Sequence, residues 1–267
     1  MLYIVGTPIG NLKDITLRAL ETLKNADAVA CEDTRRTLAL LNAYDIKKPL
    51  VSYHKFNEKE CGEKLLRRLQ AGENIALVSD AGMPLISDPG AALVRMLIEN
   101  GVKFTVVPGP TAFVSALALG GLDCSRFCFL GFLPEKKAER EALLKKYKNA
   151  EDTLVFYCAP HDVGKTVSSL YAALGERRAA AVREITKMHE ERLEFQLSEG
   201  IPGEPRGEYV LLVEGAKAEE NPLNALSEKE HIAHYLAEGM SKKDALKAAA
   251  RDRGVSKSSL YKYTFDE

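Results

Sequence analysis

Short apolar runs alternate with longer segments in which apolar residues recur every three or four positions. The runs Leu2–Val5, Ala28–Cys31, Leu50–Tyr53, Ile75–Val78 and Lys103–Val107 are too short for helices and predict strands. The segments Leu17–Asn25, Arg35–Ala43, Glu60–Ala71, Ala91–Asn100 and Ala112–Leu119 predict helices between and after them. Local chemistry marks their ends. Asp14 or Thr16 caps the first helix, Asp33 or Thr34 the second, and Gly72 closes the third. Asp88 followed by Pro89 reads as the start of the fourth. Regular strand–helix alternation predicts an α/β fold with a mostly parallel sheet.

The pattern breaks at Gly120-Gly121-Leu122-Asp123, the expected boundary between a domain at 1–120 and one at 121–217. In the second half Phe127–Gly131, Thr153–Cys158, Arg178–Glu184, Glu190–Leu197 and Gly207–Glu214 read as strands. Only two helical segments intervene, Glu135–Lys148 and Gly164–Leu174, so a mixed sheet is expected. Ala216–Asn221 is polar and linker-like. Residues 218–267 read as a small helical segment: Leu226–Glu238, a helix from Ser241 to Arg253 opened by a capping-box variant with Asp244, a Gly254-Val255 turn, and Lys257–Tyr263 capped by Ser256. Helix, glycine turn and capped helix is a helix-turn-helix pattern.

Charge changes the picture only locally. The 267 residues carry 37 Lys and Arg against 38 Asp and Glu, so no global field draws the chain to nucleic acid. From Ser241 to Tyr263, however, Lys242, Lys243, Lys247, Arg251, Arg253, Lys257 and Lys262 face only Asp244 and Asp252. This is either a nucleic-acid surface or the solvated face of a helical hairpin. The five cysteines are scattered, and an odd, unpaired set predicts reduced thiols and a cytoplasmic protein. Cys124 and Cys128 have no second Cys/His pair nearby, and His231 and His234 have no further ligand close in sequence, so no metal is expected. No apolar run approaches the ~20 residues of a membrane span.

Several familiar sites are excluded. Ala159-Pro-His-Asp-Val-Gly-Lys-Thr166 has the spacing of a relaxed P-loop, yet Pro160 lacks an amide that a phosphate nest needs and Asp162 would repel the phosphate. His189-Glu190-Glu191 lacks a zincin's second histidine, and no nucleophile elbow occurs. The first strand is followed by Gly6-Thr-Pro-Ile-Gly10 rather than a dinucleotide fingerprint.

What remains is a set of loops at the carboxyl ends of strands, where open α/β sheets bind ligands. These are Gly6–Asn11, Cys31–Arg36, Tyr53–Asn57, Ser79–Gly90 and Pro108–Ala112. Glycine and proline fix their paths and let main chain approach a ligand. Thr7, Asn11, Ser79 and Thr111 offer neutral hydrogen bonds; Asp14, Glu32, Asp33, Arg35, His54 and Glu58 supply charge. The glycines form no phosphate cradle, so an uncharged, folded-up cofactor is expected rather than a polyphosphate.

Four motifs in order, Gly6-Thr-Pro-Ile-Gly-Asn-Leu-Lys-Asp-Ile-Thr16, Cys31-Glu-Asp-Thr-Arg35, Ser79-Asp-Ala-Gly-Met-Pro-Leu-Ile-Ser-Asp-Pro-Gly90 and Val107-Pro-Gly-Pro-Thr111, resemble the ribosomal RNA small-subunit methyltransferase I family. That family consists of class III, tetrapyrrole methylase-like enzymes acting on 16S ribosomal RNA. The resemblance implies two α/β domains of the tetrapyrrole methylase type, S-adenosyl-L-methionine (SAM) in the cleft between them, a homodimer, and 2'-O-methylation of a cytidine ribose in the 30S subunit. Carried over by position, the cofactor contacts are Pro8, Gly82, Met83, Pro84, Ile86, Thr111 and Ala112, with Tyr157, Ala181 and Gly207 from the second domain. Tetrapyrrole-methylating relatives have Gly-Asp-Pro where this chain has Gly82-Met83-Pro84, which speaks against a tetrapyrrole substrate. Asp33, His54 and Glu184 are the expected proton acceptors, the two carboxylates with capping or ion pairing as their structural alternative. Arg35, Arg183 and Lys187 are expected to position phosphates, and Lys242, Lys243 and Lys257 to contact RNA. Two other readings stay open: a same-fold methyltransferase of small molecules, and a non-enzymatic nucleic-acid-binding ligand sensor.

Overall fold

The apolar runs of the first half become one parallel sheet in a computed structural model that describes residues 1–217 and 222–264. Most of the linker-like stretch, at 218–221, and the Lys262 side chain lie outside the described residues. The chain forms two compact units, 1–216 and 217–267.

In the first unit, β1 (Leu2–Val5), β2 (Ala28–Cys31), β3 (Leu50–Ser52), β4 (Ile75–Leu77) and β5 (Phe104–Val107) lie in the order β3-β2-β4-β1-β5. All pairs are parallel. The period-2 alternation of a strand sorts side chains onto two cores. Leu2, Ile4, Ile75 and Leu77 meet Leu65, Leu69, Leu93 and Leu97 from α3 (Glu58–Gln70) and α4 (Ala91–Glu99). Val5, Val29, Ala76 and Val78 meet Ala19, Leu23 and Leu41 from α1 (Leu17–Asn25) and α2 (Thr34–Ala43). Thr16 caps α1 by accepting from the Ala19 N–H, and Asp33 caps α2 through Arg35.

The second sheet holds β6 (Phe127–Phe132), β7 (Thr153–Cys158), β8 (Arg178–Arg183), β9 (Glu191–Gln196) and β10 (Tyr209–Val213) in the order β6-β7-β10-β8-β9. Only β6 and β7 run parallel, so this sheet is mixed, as the sequence predicts. Its outer face packs on α6 (Lys137–Lys146) and α7 (Val163–Leu174). Its other face packs on α5 (Ala112–Gly120), whose Ala116 and Leu117 join Val155, Val182 and Leu212. Gly120 is pressed so closely on β10 that a Cβ would overlap the Leu212 side chain. α5 leaves the parallel sheet and lies on the mixed one, so the strand-end loops of the first face the second.

The second unit contains α8 (Glu228–Ala237), α9 (Lys242–Asp252) and α10 (Lys257–Leu260). α8 opens with a capping box, Ser227 with Glu230, that the sequence reading did not use. Ser241 and Ser256 cap α9 and α10 as expected. Ile232, Ala245, Leu246, Ala249, Ala250 and Leu260 form a separate core. His231 is a core residue there: its Nδ1 accepts from Arg253 Nε at 3.0 Å, and burial first, then the Arg253 charge, push its imidazole below the ordinary value.

Candidate functional site

Loops after β1, β4 and β5 are tied together before they reach any ligand. Thr7 and Gly82 exchange main-chain hydrogen bonds of 2.9 and 3.1 Å, an antiparallel bridge between two loops. The Thr7 hydroxyl donates to the Ser79 carbonyl at 3.2 Å, and the Ser79 hydroxyl to the Gly82 carbonyl at 3.1 Å. Thr7 and Ser79 are buried, so these hydroxyls brace the loops instead of offering bonds to a ligand. Asn11 likewise caps a short 3-10 turn, Leu12–Asp14.

The Asp88–Pro89 helix start is corrected. Gly90 is the N-cap of α4, at φ +132°, and its N–H donates to Glu58 Oε1 at 2.9 Å. Asp88 thereby leaves the helix and faces a cavity. The long loop that carries it holds two non-glycine residues in the left-handed region, Leu85 (φ 73°) and Ser87 (φ 65°). The loop after β8 holds two more, Glu184 (φ 50°) and Thr186 (φ 65°). Strain of this kind persists where surrounding structure over-determines it, and it clusters at functional sites.

These two strained loops bound a cavity of about 390 Å³ between the sheets. Gly82, Met83, Ile86, Thr111, Ala112 and Tyr157 wall it, six of the ten residues expected to hold a cofactor. Pro8, Pro84, Ala181 and Gly207 stand off the wall. Pro8 and Pro84 are buried beneath it, Ala181 lies in the core of the mixed sheet, and Gly207 packs on the Glu184 carboxylate. Carboxylates outnumber cations on the wall: Asp80, Asp88, Glu184 and Glu208 against Arg36 and Lys187. Burial first, then the Glu32 and Asp80 charges, push the Asp88 carboxyl up to about 6. Lys187 lies along Gly10 and donates to Glu184 Oε1 at 3.0 Å, while Glu184 also accepts the Glu208 N–H at 3.0 Å. Thr186 donates to Asp14, joining the same loop to the β1 loop.

The three expected proton acceptors are not brought together. Glu184 is on the cavity wall. Asp33 and His54 line a separate, open groove of about 440 Å³ with Glu32, Thr34, Arg35, Lys55, Phe56 and Asp80. Bonds from Arg35 hold the Asp33 carboxyl down at about 2, and it serves as an ion-paired helix cap outside the cavity. His54 Nδ1 is buried without a hydrogen-bond partner in the protein. Arg183 lies off the cavity wall and pairs with Glu191. Lys242, Lys243 and Lys257 belong to the second unit, the first two exposed and Lys257 set 5.4 Å from the Tyr261 ring centre.

Sequence reasoning missed Arg36, Asp80 and Asp88 as wall residues. Asp80 stands between cavity and groove, accepting the Asp33 N–H at 3.2 Å and pairing with Arg36 at 3.3 Å. Its place at a strand's carboxyl end beside Ser79 was the available signal. Among the described residues no cluster of three or more His, Cys, Asp and Glu is placed to hold a metal, and no helix is long and apolar enough to cross a membrane.

Comparison with known proteins matches this arrangement. The profile of the Tetrapyrrole (Corrin/Porphyrin) Methylases covers residues 1–200. The Ribosomal RNA small subunit methyltransferase I of Bacillus subtilis (strain 168) is 44% identical over 270 residues, covering 98% of this chain and 92% of that protein. The protein of the same name from Thermotoga maritima is 44% identical over 218 residues, 98% of its own length but 80% of this chain. The crystal structure of uroporphyrin-III C-methyl transferase from Thermus thermophilus complexed with S-adenosyl homocysteine superposes with a TM-score of 0.57 at 23% identity, over 79% of this chain and 96% of that one, which establishes the shared fold. The chain therefore belongs to the tetrapyrrole methylase family and, within it, to the group of proteins named ribosomal RNA small subunit methyltransferase I.

Proposed function

We propose that this protein transfers a methyl group from SAM to the ribose 2'-oxygen of a cytidine in 16S ribosomal RNA of the small subunit. The observation that carries the reading is the cavity between the sheets, walled by residues of three of the motifs that define the resemblance and fronted by a surplus of carboxylates. Its volume falls in the range of small-molecule sites, ~300–1,000 Å³. Four carboxylates against two cations suit a cationic sulfonium compound and disfavour a polyphosphate. Main chain at Gly82 and Ala112 and side chains at Met83, Ile86, Thr111 and Tyr157 would hold the donor, and ionised Asp88 would accept hydrogen bonds from its hydroxyl groups. The bound donor supplies an electrophilic methyl group.

The chain's own residues do the rest. The stiff loops fix the donor's position, so that much of the barrier reduction comes from orientation of the attacking hydroxyl. Glu184 takes the hydroxyl proton or fixes Lys187, whose ammonium stands at the cavity rim to meet a phosphate. Arg36, held by Asp80, offers a second cation there. The relatives named above support RNA over a tetrapyrrole as substrate, as does Met83 in place of a carboxylate. An RNA substrate in the ribosomal subunit sets the work in the cytoplasm. The homodimer is part of the same reading. Ile98, Val106, Val114 and Leu119, on α4, the edge strand β5 and α5, are exposed apolar side chains that a second copy would cover.

The test is incubation of the protein with isotopically labelled methyl donor and either 30S particles lacking the modification or free tetrapyrroles. Label recovered as 2'-O-methylcytidine from 16S RNA supports the reading; label in a tetrapyrrole, or in neither, refutes it.

A further inference from the structure

The turn between β3 and α3 holds a phenyl ring out in solvent. Phe56 is 95% exposed, the most exposed large apolar side chain among the described residues. The turn beneath it is fixed. The His54 N–H donates to Asn57 Oδ1 at 2.8 Å, Asn57 Nδ2 to the Ser52 carbonyl at 3.0 Å, and the Asn57 N–H to the His54 carbonyl at 2.9 Å. The His54 ring stands edge-on to the phenyl, with centres 6.1 Å apart. An aromatic side chain held this far out on an ordered turn offers its apolar face, at little cost of reordering, to whatever fills the groove.

Its surroundings identify the occupant. The groove that Phe56 lines shares Asp80 with the central cavity, so whatever fills one adjoins whatever fills the other. Lys55 flanks the ring in sequence, and Arg35 lines the groove with it. Arg35 neutralises Asp33, and Arg36 neutralises Asp80. Glu32 lines the groove as well, so Lys55, which makes no ion pair among the described residues, is the lining cation left to meet a phosphate, and a flat apolar face stands beside it.

We propose that Phe56 is a stacking platform for the base of the nucleotide next to the methylated one, with Lys55 meeting an adjoining phosphate. The proposal deepens the RNA reading above and rests on it. A ribose can enter the central cavity only from locally single-stranded RNA, whose neighbouring bases have lost their stacking partners. A phenyl ring restores one such contact, and it does so for any base because every base has a π face. A protein partner or a second copy would also cover a phenyl, but neither would make KM for naked RNA depend on an aromatic ring at this position.

The experiment compares Phe56→Ala, Phe56→Leu and Phe56→Trp in the full chain, with methyl transfer to 30S particles and to naked 16S RNA, and with calorimetry of SAM binding. The phenyl packs against no core, so all three variants fold, which thermal denaturation verifies. The alanine and leucine variants raise KM for RNA about tenfold, as loss of one base–aromatic stack implies, while kcat and affinity for SAM hold. The tryptophan variant stays within about twofold of wild type. An alanine variant with unchanged KM, or a leucine variant as good as the tryptophan one, overturns the platform. Wild-type protein that binds SAM yet methylates no RNA overturns the RNA reading itself, and the platform with it.

Discussion

Gly6 and Gly109 meet main chain to main chain: a Cβ on Gly6 would lie 2.7 Å from Gly109 Cα, and one on Gly109 would lie 2.8 Å from Gly6 Cα. The same Cβ on Gly6 would stand 2.6 Å from Met83 Sδ. Three strand-end loops, after β1, β4 and β5, therefore converge on a point where no side chain fits. Backbone cannot yield as a flexible side chain does, so a methyl group here must move a loop. Gly6→Ala and Gly109→Ala each lower stability by ~1–3 kcal/mol in urea denaturation. Each also weakens SAM binding more than that loss alone would, because Met83 and Thr111 move with the loops. Gly164→Ala is the control: it lies in α7 with nothing within 4 Å of its Cβ, and it raises stability by up to ~1 kcal/mol.

Asp88 gives the protein a pH signature. Its carboxyl is pushed up to about 6 in the fold, from an ordinary value of 3.8. The folded state thus holds this proton more tightly than the unfolded state. Its contribution to stability is present at low pH and is lost as pH rises through about 6. Asp88→Asn removes the buried charge, so the variant's Tm exceeds wild type near about pH 8 and the margin vanishes near about pH 4. The same variant binds SAM more weakly at neutral pH by calorimetry. A variant that gains no stability at high pH would show that the carboxylate is not desolvated.

The three proton acceptors expected from the sequence separate by position. Asp33 is a cap locked to Arg35 outside the central cavity, whereas Glu184 stands on its wall. Asp33→Asn and His54→Ala therefore leave turnover at saturating SAM and RNA close to wild type, while Glu184→Gln lowers it ~100-fold or more. Single-turnover methyl transfer decides it. Full activity of the Glu184 variant, or a large loss in Asp33→Asn or His54→Ala, would overturn this assignment.

The second unit has its own core, and the Thermotoga maritima relative matches only 80% of this chain over 98% of its own length. Truncation after Lys217 therefore leaves SAM affinity and kcat intact and raises KM for RNA. The salt dependence of RNA binding also falls, because Lys242, Lys243 and Lys257 are gone. An unchanged salt slope would make this unit a helical hairpin without an RNA role.

Much of this was legible in the sequence, for local reasons. The apolar runs carried the parallel sheet because its central strands β2, β4 and β1 are buried almost throughout and its edge strands β3 and β5 in part. The strand-end motifs carried the cavity wall because their glycines and prolines fix backbone paths locally. What escaped depended on residues far apart. Asp-Pro-Gly at 88–90 is a strong helix start, yet Glu58, 32 positions before Gly90, receives the Gly90 N–H and frees Asp88 for the cavity. Thr7 and Ser79 looked like ligand donors because their type suits that role, but only the pairing of Thr7 with Gly82 shows them turned inward. Helix α5 follows the parallel sheet in sequence and packs on the mixed one, a choice its uniformly apolar sequence cannot reveal.

A crystal structure with S-adenosyl homocysteine tests the central claim most directly. Density between the two sheets, touching Gly82, Met83, Thr111, Ala112 and Tyr157 with a hydroxyl group on Asp88, is the predicted result. Density confined to another surface, or a cavity left empty at a concentration where calorimetry shows full binding, would contradict it.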